Sequence, residues 1–143
     1  MNIINNLENN SKEFPNKIAI IFEDQKISYK ELYDEVKKNS LKINNFDKEV
    51  ISLVSENSIS FIIMYLGIIK SGRTVHIIPP EISETNFNNQ IKSAKSQTII
   101  CSENVFDKIL KFTKNNIPIL KISKLEKQLE SKENNFKENQ IAH

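Results

Sequence analysis

The sequence predicts an α/β fold: an N-terminal β-hairpin followed by βα repeats that form a mostly parallel open sheet with helices on both faces. Three observations carry that prediction. Short β-branched runs recur at intervals of roughly 20–25 residues, with an amphipathic segment of helical length in each gap. The runs Ile-Ser-Leu-Val, Val-His-Ile-Ile and Thr-Ile-Ile-Cys alternate little, as strands covered on both faces do. Right-handed crossovers through the intervening helices then set successive strands parallel. At 143 residues, 38% hydrophobic and 27% charged, the chain has material for one core. The sequence reads as a single partial domain, 1–143. Residues 1–47 form an N-terminal helix, hairpin and capped helix, 48–122 the parallel βα units, and 123–143 a polar helix and loop leading to a truncated strand.

The elements follow in order. Ile3, Ile4 and Leu7 lie at helical spacing in Asn2–Ser11, and Phe14-Pro15 breaks that helix. Lys17–Phe22 and Lys26–Tyr29 read as two strands. The Glu23-Asp24-Gln25 turn between them lacks glycine, which predicts a loop longer than two residues. Ser28 opens the next helix with a capping box to Glu31, and Tyr29, Leu32, Tyr33, Val36, Ser40 and Ile43 share its buried face as far as Asn44. Strands are expected at Val50–Val54, Thr74–Ile78, Thr98–Cys101 and Pro118–Ile122, and helices at Ser58–Lys70, Glu84–Lys95 and Asn104–Lys114. Beyond them, Ser123 and Glu126 form a second capping box, Leu125 and Leu129 are the only apolar pair, and Glu130–Gln140 is polar.

The centre of this pattern is Asn57–Pro80. Phe61–Leu66 is apolar without a break, so its helix must be covered on several sides. Gly72 stands where a left-handed residue closes a helix, with Lys70 near the negative end of the dipole. Thr74–Ile78 follows as a strand inside the sheet, ended by Pro79-Pro80.

Composition excludes several function classes. A net charge of +2 gives no field for nucleic acid or an anionic membrane. The apolar run to Ile69 is about half the ~20 residues of a membrane helix, and no secretory signal is visible, so a cytoplasmic protein is expected. A single cysteine, Cys101, allows no internal disulfide and fits a reducing compartment.

Open parallel sheets bind ligands beyond the carboxyl ends of their strands. Here those loops are Ser55–Ser58, Pro79–Ser83, Ser102–Asn104 and Ser123-Lys124. None contains a glycine, so none builds a phosphate cradle, and their serines and asparagines read as helix N-caps. His76, set among apolar neighbours with no partner nearby in sequence, reads as a structural histidine rather than a base. Cys101 reads as a small core residue, and His143 is terminal. One cysteine and two histidines assemble no metal site of ordinary spacing. The carboxylate clusters Glu23-Asp24 and Glu130–Glu138 read as solvated. No catalytic, cofactor-binding or metal-ligating residue is assigned.

Several stretches together resemble the start of the adenylate-forming (AMP-binding) superfamily of acyl-CoA synthetases, peptide-synthetase adenylation domains and luciferases. They are Phe14-Pro15-Asn16-Lys17-Ile18-Ala19-Ile20, Ile27-Ser28-Tyr29-Lys30-Glu31-Leu32, and Asn57-Ser58 leading into Phe61. Most telling is Leu66-Gly67-Ile68-Ile69-Lys70-Ser71-Gly72, followed by Val75 and Pro79-Pro80, which is similar to that family's L-G-I-x-K-A-G-x-x-x-x-P-x-x-P region. Ser71, Arg73 and His76 depart from its usual small or apolar residues. The resemblance runs from about Leu7 to Ala142, and implies the N-terminal subdomain of the acyl-CoA synthetase-like fold. It also implies a parent reaction in which a carboxylate and ATP, with Mg, give acyl-AMP and pyrophosphate before transfer to a thiol. Gln140–His143 resembles the first residues of the strand preceding the phosphate loop, so the chain is expected to be inactive alone and to hold no cofactor itself. The expected partners are the rest of the ligase, or a second copy through an exposed sheet edge. A non-catalytic interaction module, or one half of a split ligase, is the alternative.

Overall fold

The computed structural model describes residues 2–45, 49–114 and 116–122. The order is α1 (Ile3–Glu13), β1 (Ile18–Phe22), β2 (Gln25–Ser28), α2 (Tyr29–Ile43), β3 (Val50–Val54), α3 (Ile59–Lys70), β4 (Thr74–Ile78), α4 (Glu84–Ala94), β5 (Thr98–Cys101), α5 (Glu103–Phe112) and β6 (Ile119–Lys121). β1 and β2 form an antiparallel hairpin, and the other four strands form a parallel sheet in the order β4-β3-β5-β6. The predicted second capping box, the polar tail, its carboxylates and His143 lie outside the described residues.

The predicted α/β class and helix coverage are present, and strand alternation explains the coverage. Val54, Ile78, Ile99 and Cys101 point to one face and pack with Phe87 and Ile91 of α4 and Val105 and Ile109 of α5. Ile51, Leu53 and Ile100 point to the other and pack with Ile43 of α2 and Met64 and Ile68 of α3. A third cluster joins α1, the hairpin, α2 and α3 through Leu7, Ile27, Leu32, Val36 and Leu66.

The capping box on α2 forms as its spacing predicts. The Glu31 amide donates to Ser28 Oγ at 3.2 Å, and the Ser28 amide donates to Glu31 Oε1 at 3.1 Å. Gly72 takes φ +83° just beyond the Ser71 cap of α3, the left-handed geometry that glycine adopts without strain. Gly67 serves a different purpose. A Cβ there would stand 3.0 Å from Asn39 Cβ, so its absence lets α3 approach α2 closely.

Three expectations are corrected. The hairpin loop is tight: Phe22 pairs with Gln25, and only Glu23-Asp24 lie between, with Glu23 itself in the left-handed region at φ 55°. Cross-strand packing holds a non-glycine residue where isolated preference disfavours it. β4 is an edge strand of the described sheet rather than an inner one, and Ile77 is 48% exposed. Some boundaries also move. α1 runs on to Glu13, and α5 starts at Glu103 and ends at Phe112, where Thr113 turns extended at ψ 119°.

The two glycines separate packing from backbone strain. Gly67→Ala forces Asn39, anchored through its own α2 backbone, to give way, at about 1–3 kcal/mol. Gly72→Ala meets no atom within 4 Å and costs about 1 kcal/mol for its left-handed φ alone. Urea unfolding of both variants checks the order, with Gly67→Ala the more destabilised.

Candidate functional site

The winding of the sheet creates one crevice. From β3 the chain crosses through α3 to β4 on one side, while from β5 it crosses through α5 to β6 on the other. The loops that leave the adjacent strands β3 and β5 therefore diverge at their carboxyl ends, the geometry in which open α/β sheets place ligands.

Glu56 sits in that divergence. Its carboxylate accepts from Ser102 Oγ at 2.7 Å and from Asn104 Nδ2 at 3.1 Å, both at the start of α5. The Ser102 hydroxyl, led by its bond to Glu56, holds that carboxyl below the usual carboxylate range. An ionised carboxylate at the amino end of α5 also complements the helix dipole. Ser102 is thus not the side-chain N-cap its sequence position suggests: it forms no such bond within α5. Ser58 and Ser83 do cap, accepting from the amides of Phe61 at 3.0 Å and Asn86 at 3.3 Å.

Beside Glu56 opens a groove of about 550 Å³ between the ends of β3 and β4. Phe61, Ile77, Ile78 and Pro79-Pro80 form its apolar wall, and Ser55, Glu56, Asn57 and Glu81 its polar rim. Lys108 Nζ donates to the Pro80 carbonyl at 2.5 Å and fixes the proline pair to α5. A smaller recess of about 190 Å³ lies on the β5 side, bounded by Ser55, Glu56, Ser58, Ser60, Ser102, Glu103 and Ile122.

The other candidates fall elsewhere. Cys101 is fully buried in the α4–α5 core, and burial pushes its thiol up to about 12, which makes it a core residue and a poor nucleophile. Glu23-Asp24 form the exposed hairpin tip. His76 is the surprise: it has the serine partner that its sequence neighbours do not supply, with Nδ1 2.9 Å from Ser52 Oγ. Ser52 lies 24 positions away and meets His76 only through the parallel register of β3 and β4. No local motif signals such a pair.

The fold defines a doubly wound α/β unit with a crevice at the carboxyl edge of its parallel sheet. Residues 7–142 match the family described as AMP-binding enzyme, and the chain belongs to that family. Among curated relatives, gramicidin S synthase 2 of Brevibacillus brevis is 30% identical over 108 residues, 73% of this chain and 2% of the relative. Polyketide synthase PksN of Bacillus subtilis is 23% identical over 118 residues, 80% of this chain and 2% of the relative. The chain therefore spans a small part of the curated proteins it matches. In fold it is similar to VinN, at TM-score 0.81 and 19% identity over 90% of this chain and 35% of VinN. It is also similar to the N-terminal subdomain of Klebsiella oxytoca NpsA in complex with 3-hydroxybenzoyl-AMSN, at TM-score 0.74 and 21% identity over 86% of this chain and 30% of that one.

The groups at the carboxyl edge do not fit the ATP and Mg that the family implies. Three carboxylates, Glu56, Glu81 and Glu103, line the two hollows, a sign that repels a polyphosphate. The lysines nearby are engaged, Lys108 by the Pro80 carbonyl and Lys121 by Glu103 at 3.1 Å. Among the described residues no group of three or more His, Cys, Asp or Glu side chains can hold a metal. Positioned cations and donors are what phosphoryl and adenylyl chemistry demands.

Glu56 is testable through its titration. Its folded pKa is lowered, so the stability it contributes is present above about pH 4.5 and is lost as pH falls through the folded value. Glu56→Ala is expected to remove about 1 kcal/mol of local stability and to speed amide exchange in the first turn of α5. Hydrogen exchange against pH should show that turn alone opening earlier in the wild type on acidification, with the dependence absent in the variant.

Proposed function

We propose that this chain is the N-terminal scaffold of an AMP-forming ligase that activates a carboxylate and passes it to a thiol, and that it has no adenylation activity alone. The observation that carries this reading is the family match over residues 7–142, combined with a carboxyl edge whose charged groups are carboxylates and engaged lysines. The chain's own residues shape one wall of the crevice. Glu56 ties the β3 loop to α5, Lys108 fixes Pro80, and Phe61 and Ile77 present apolar surface.

The curated relatives include gramicidin S synthase 2 and bacitracin synthase 2, and one neighbour in fold is NpsA-ThdA, an artificially fused adenylation–PCP di-domain. These support an amino acid or related acid as substrate and a carrier-borne thiol as acceptor. The partner this reading requires is the remainder of the ligase. A net charge of +2 argues against nucleic acid, and a reducing cytoplasm suits the lone thiol. No helix among the described residues is long and apolar enough to cross a membrane.

The purified 143-residue chain is expected to give ATP–pyrophosphate exchange at the level of a heat-killed control with any amino or aryl acid. Exchange above that control overturns the scaffold reading. The β4 edge, unpaired among the described residues, and exposed Ile77 also predict self-association as concentration rises. Sedimentation velocity over a wide concentration range checks this, and a constant monomer contradicts it.

A further inference from the structure

The Ser52–His76 contact belongs to a longer chain of polar groups inside an apolar layer. Ser52 is fully buried at the centre of β3, and its hydroxyl is hydrogen-bonded to that of Ser96, a buried residue in the turn after α4. Gln90 of α4 lies beside the imidazole and favours the protonated ring, against the effect of burial. In the neutral tautomer protonated on the other ring nitrogen, Nδ1 accepts from Ser52, and Ser52 in turn accepts from Ser96. In that tautomer the hydroxyls run in one direction, Ser96 to Ser52 to His76. Around them the same sheet face carries Val54 and Ile78, packed with Phe87 and Ile91 of α4.

We propose that this chain is a proton-sensitive latch, which fastens edge strand β4 and the Ile77–Pro80 wall of the groove to β3 and α4 while His76 is neutral, and loosens them when His76 is protonated. A proton on Nδ1 meets the Ser52 hydroxyl proton head-on, so Ser52 and Ser96 must both reverse. The new charge also enters a half-buried site where no carboxylate among the described residues pairs with it. β3 and β4 carry no carboxylate. α3 covers the opposite face, and its Lys70 lies over the Tyr33 ring. On α4, Glu84 faces Lys114 at 3.9 Å, Lys92 lies in the last turn, and Lys95 caps the end. Burial lowers the His76 pKa from 6.5, and Gln90 opposes it.

The sign follows from linkage. The unfolded chain binds the His76 proton more readily than the folded one, so the latch is complete above the ordinary histidine range and is lost as pH falls through the lowered folded value.

Amide exchange in the full 143-residue chain, followed by NMR from about pH 7.5 to about pH 5 and corrected for intrinsic rates, reads the latch directly. Protection at Thr74–Ile78 is expected to fall severalfold over that range while Thr98–Cys101 stays protected. In His76→Asn, whose carboxamide oxygen accepts from Ser52 but does not titrate, β4 protection is expected to be independent of pH. Wild-type β4 protection that ignores pH overturns the proposal, and so does an equal loss in His76→Asn. Ser52→Ala gives a second reading should His76→Asn not fold. Removing the donor to Nδ1 should move the midpoint of β4 opening to higher pH, and an unmoved midpoint rules the latch out.

Discussion

The structure depends on one strand being paired on both sides. Val50–Val54 bonds β4 along one edge and β5 along the other, and each of its side chains belongs to a different layer in turn. Ile51 and Leu53 enter the core under α2 and α3, whereas Val54 enters the core under α4 and α5. Because right-handed crossovers are obligatory, leaving β3 in one direction and β5 in the other puts the helices on opposite faces. The crevice at the carboxyl edge is a geometric consequence of the same choice. Gly67 then determines how closely the hairpin and α2 can be carried against this sheet, through the contact of α3 with Asn39 and Ser40.

What the sequence revealed and what it concealed divide along a physical line. Features encoded within about one helical turn were legible: the Ser28–Glu31 capping box, the Ser58 and Ser83 caps, the Gly72 stop, and the apolar runs of β3 and β5. Features fixed by which strand lies beside which were not. The edge position of β4 follows from strand order, which periodicity does not contain. Ser102 looks like an N-cap in its local context, yet its hydroxyl turns to Glu56, a residue 46 positions away. The hairpin failed for a related reason. Local preference disfavours Glu23 at positive φ, but the pairing of Ile21 with Lys26 and Phe22 with Gln25 leaves two residues to close the turn.

The crevice shows why shape alone is insufficient for chemistry. Its walls combine an apolar surface with a polar rim, the general form of a ligand site. The electrostatics point away from phosphate, because Glu56 is held ionised by donors that position it and is not free to act as a base. Lys108 is likewise a structural tie, bonded to Pro80 and lying 5.5 Å from the centroid of the Phe112 ring. Glu56, Lys108 and the Lys121–Glu103 pair each make a joint between neighbouring elements at this edge.

The residues that depart from the family's pattern bear on this most directly. Arg73, just before β4, and His76, within it, bring a guanidinium and an imidazole to a region where the resemblance implies small or apolar side chains, and both need polar company. Each has it on an adjoining element. Arg73 Nη1 donates to Asn44 Oδ1 and to the Ser71 carbonyl, both at 2.7 Å, which ties the start of β4 to the end of α2. His76 reaches Ser52 in the strand beside it. A strand at the sheet edge has ladder bonds on one side only, and its half-exposed side chains contribute less by burial than those of β3. Polar ties just before it and at its middle residue add to the ladder bonds on its one paired side among the described residues. They also make the seating of β4, and of the groove wall that continues from it, depend on hydrogen-bond direction and protonation as well as on packing.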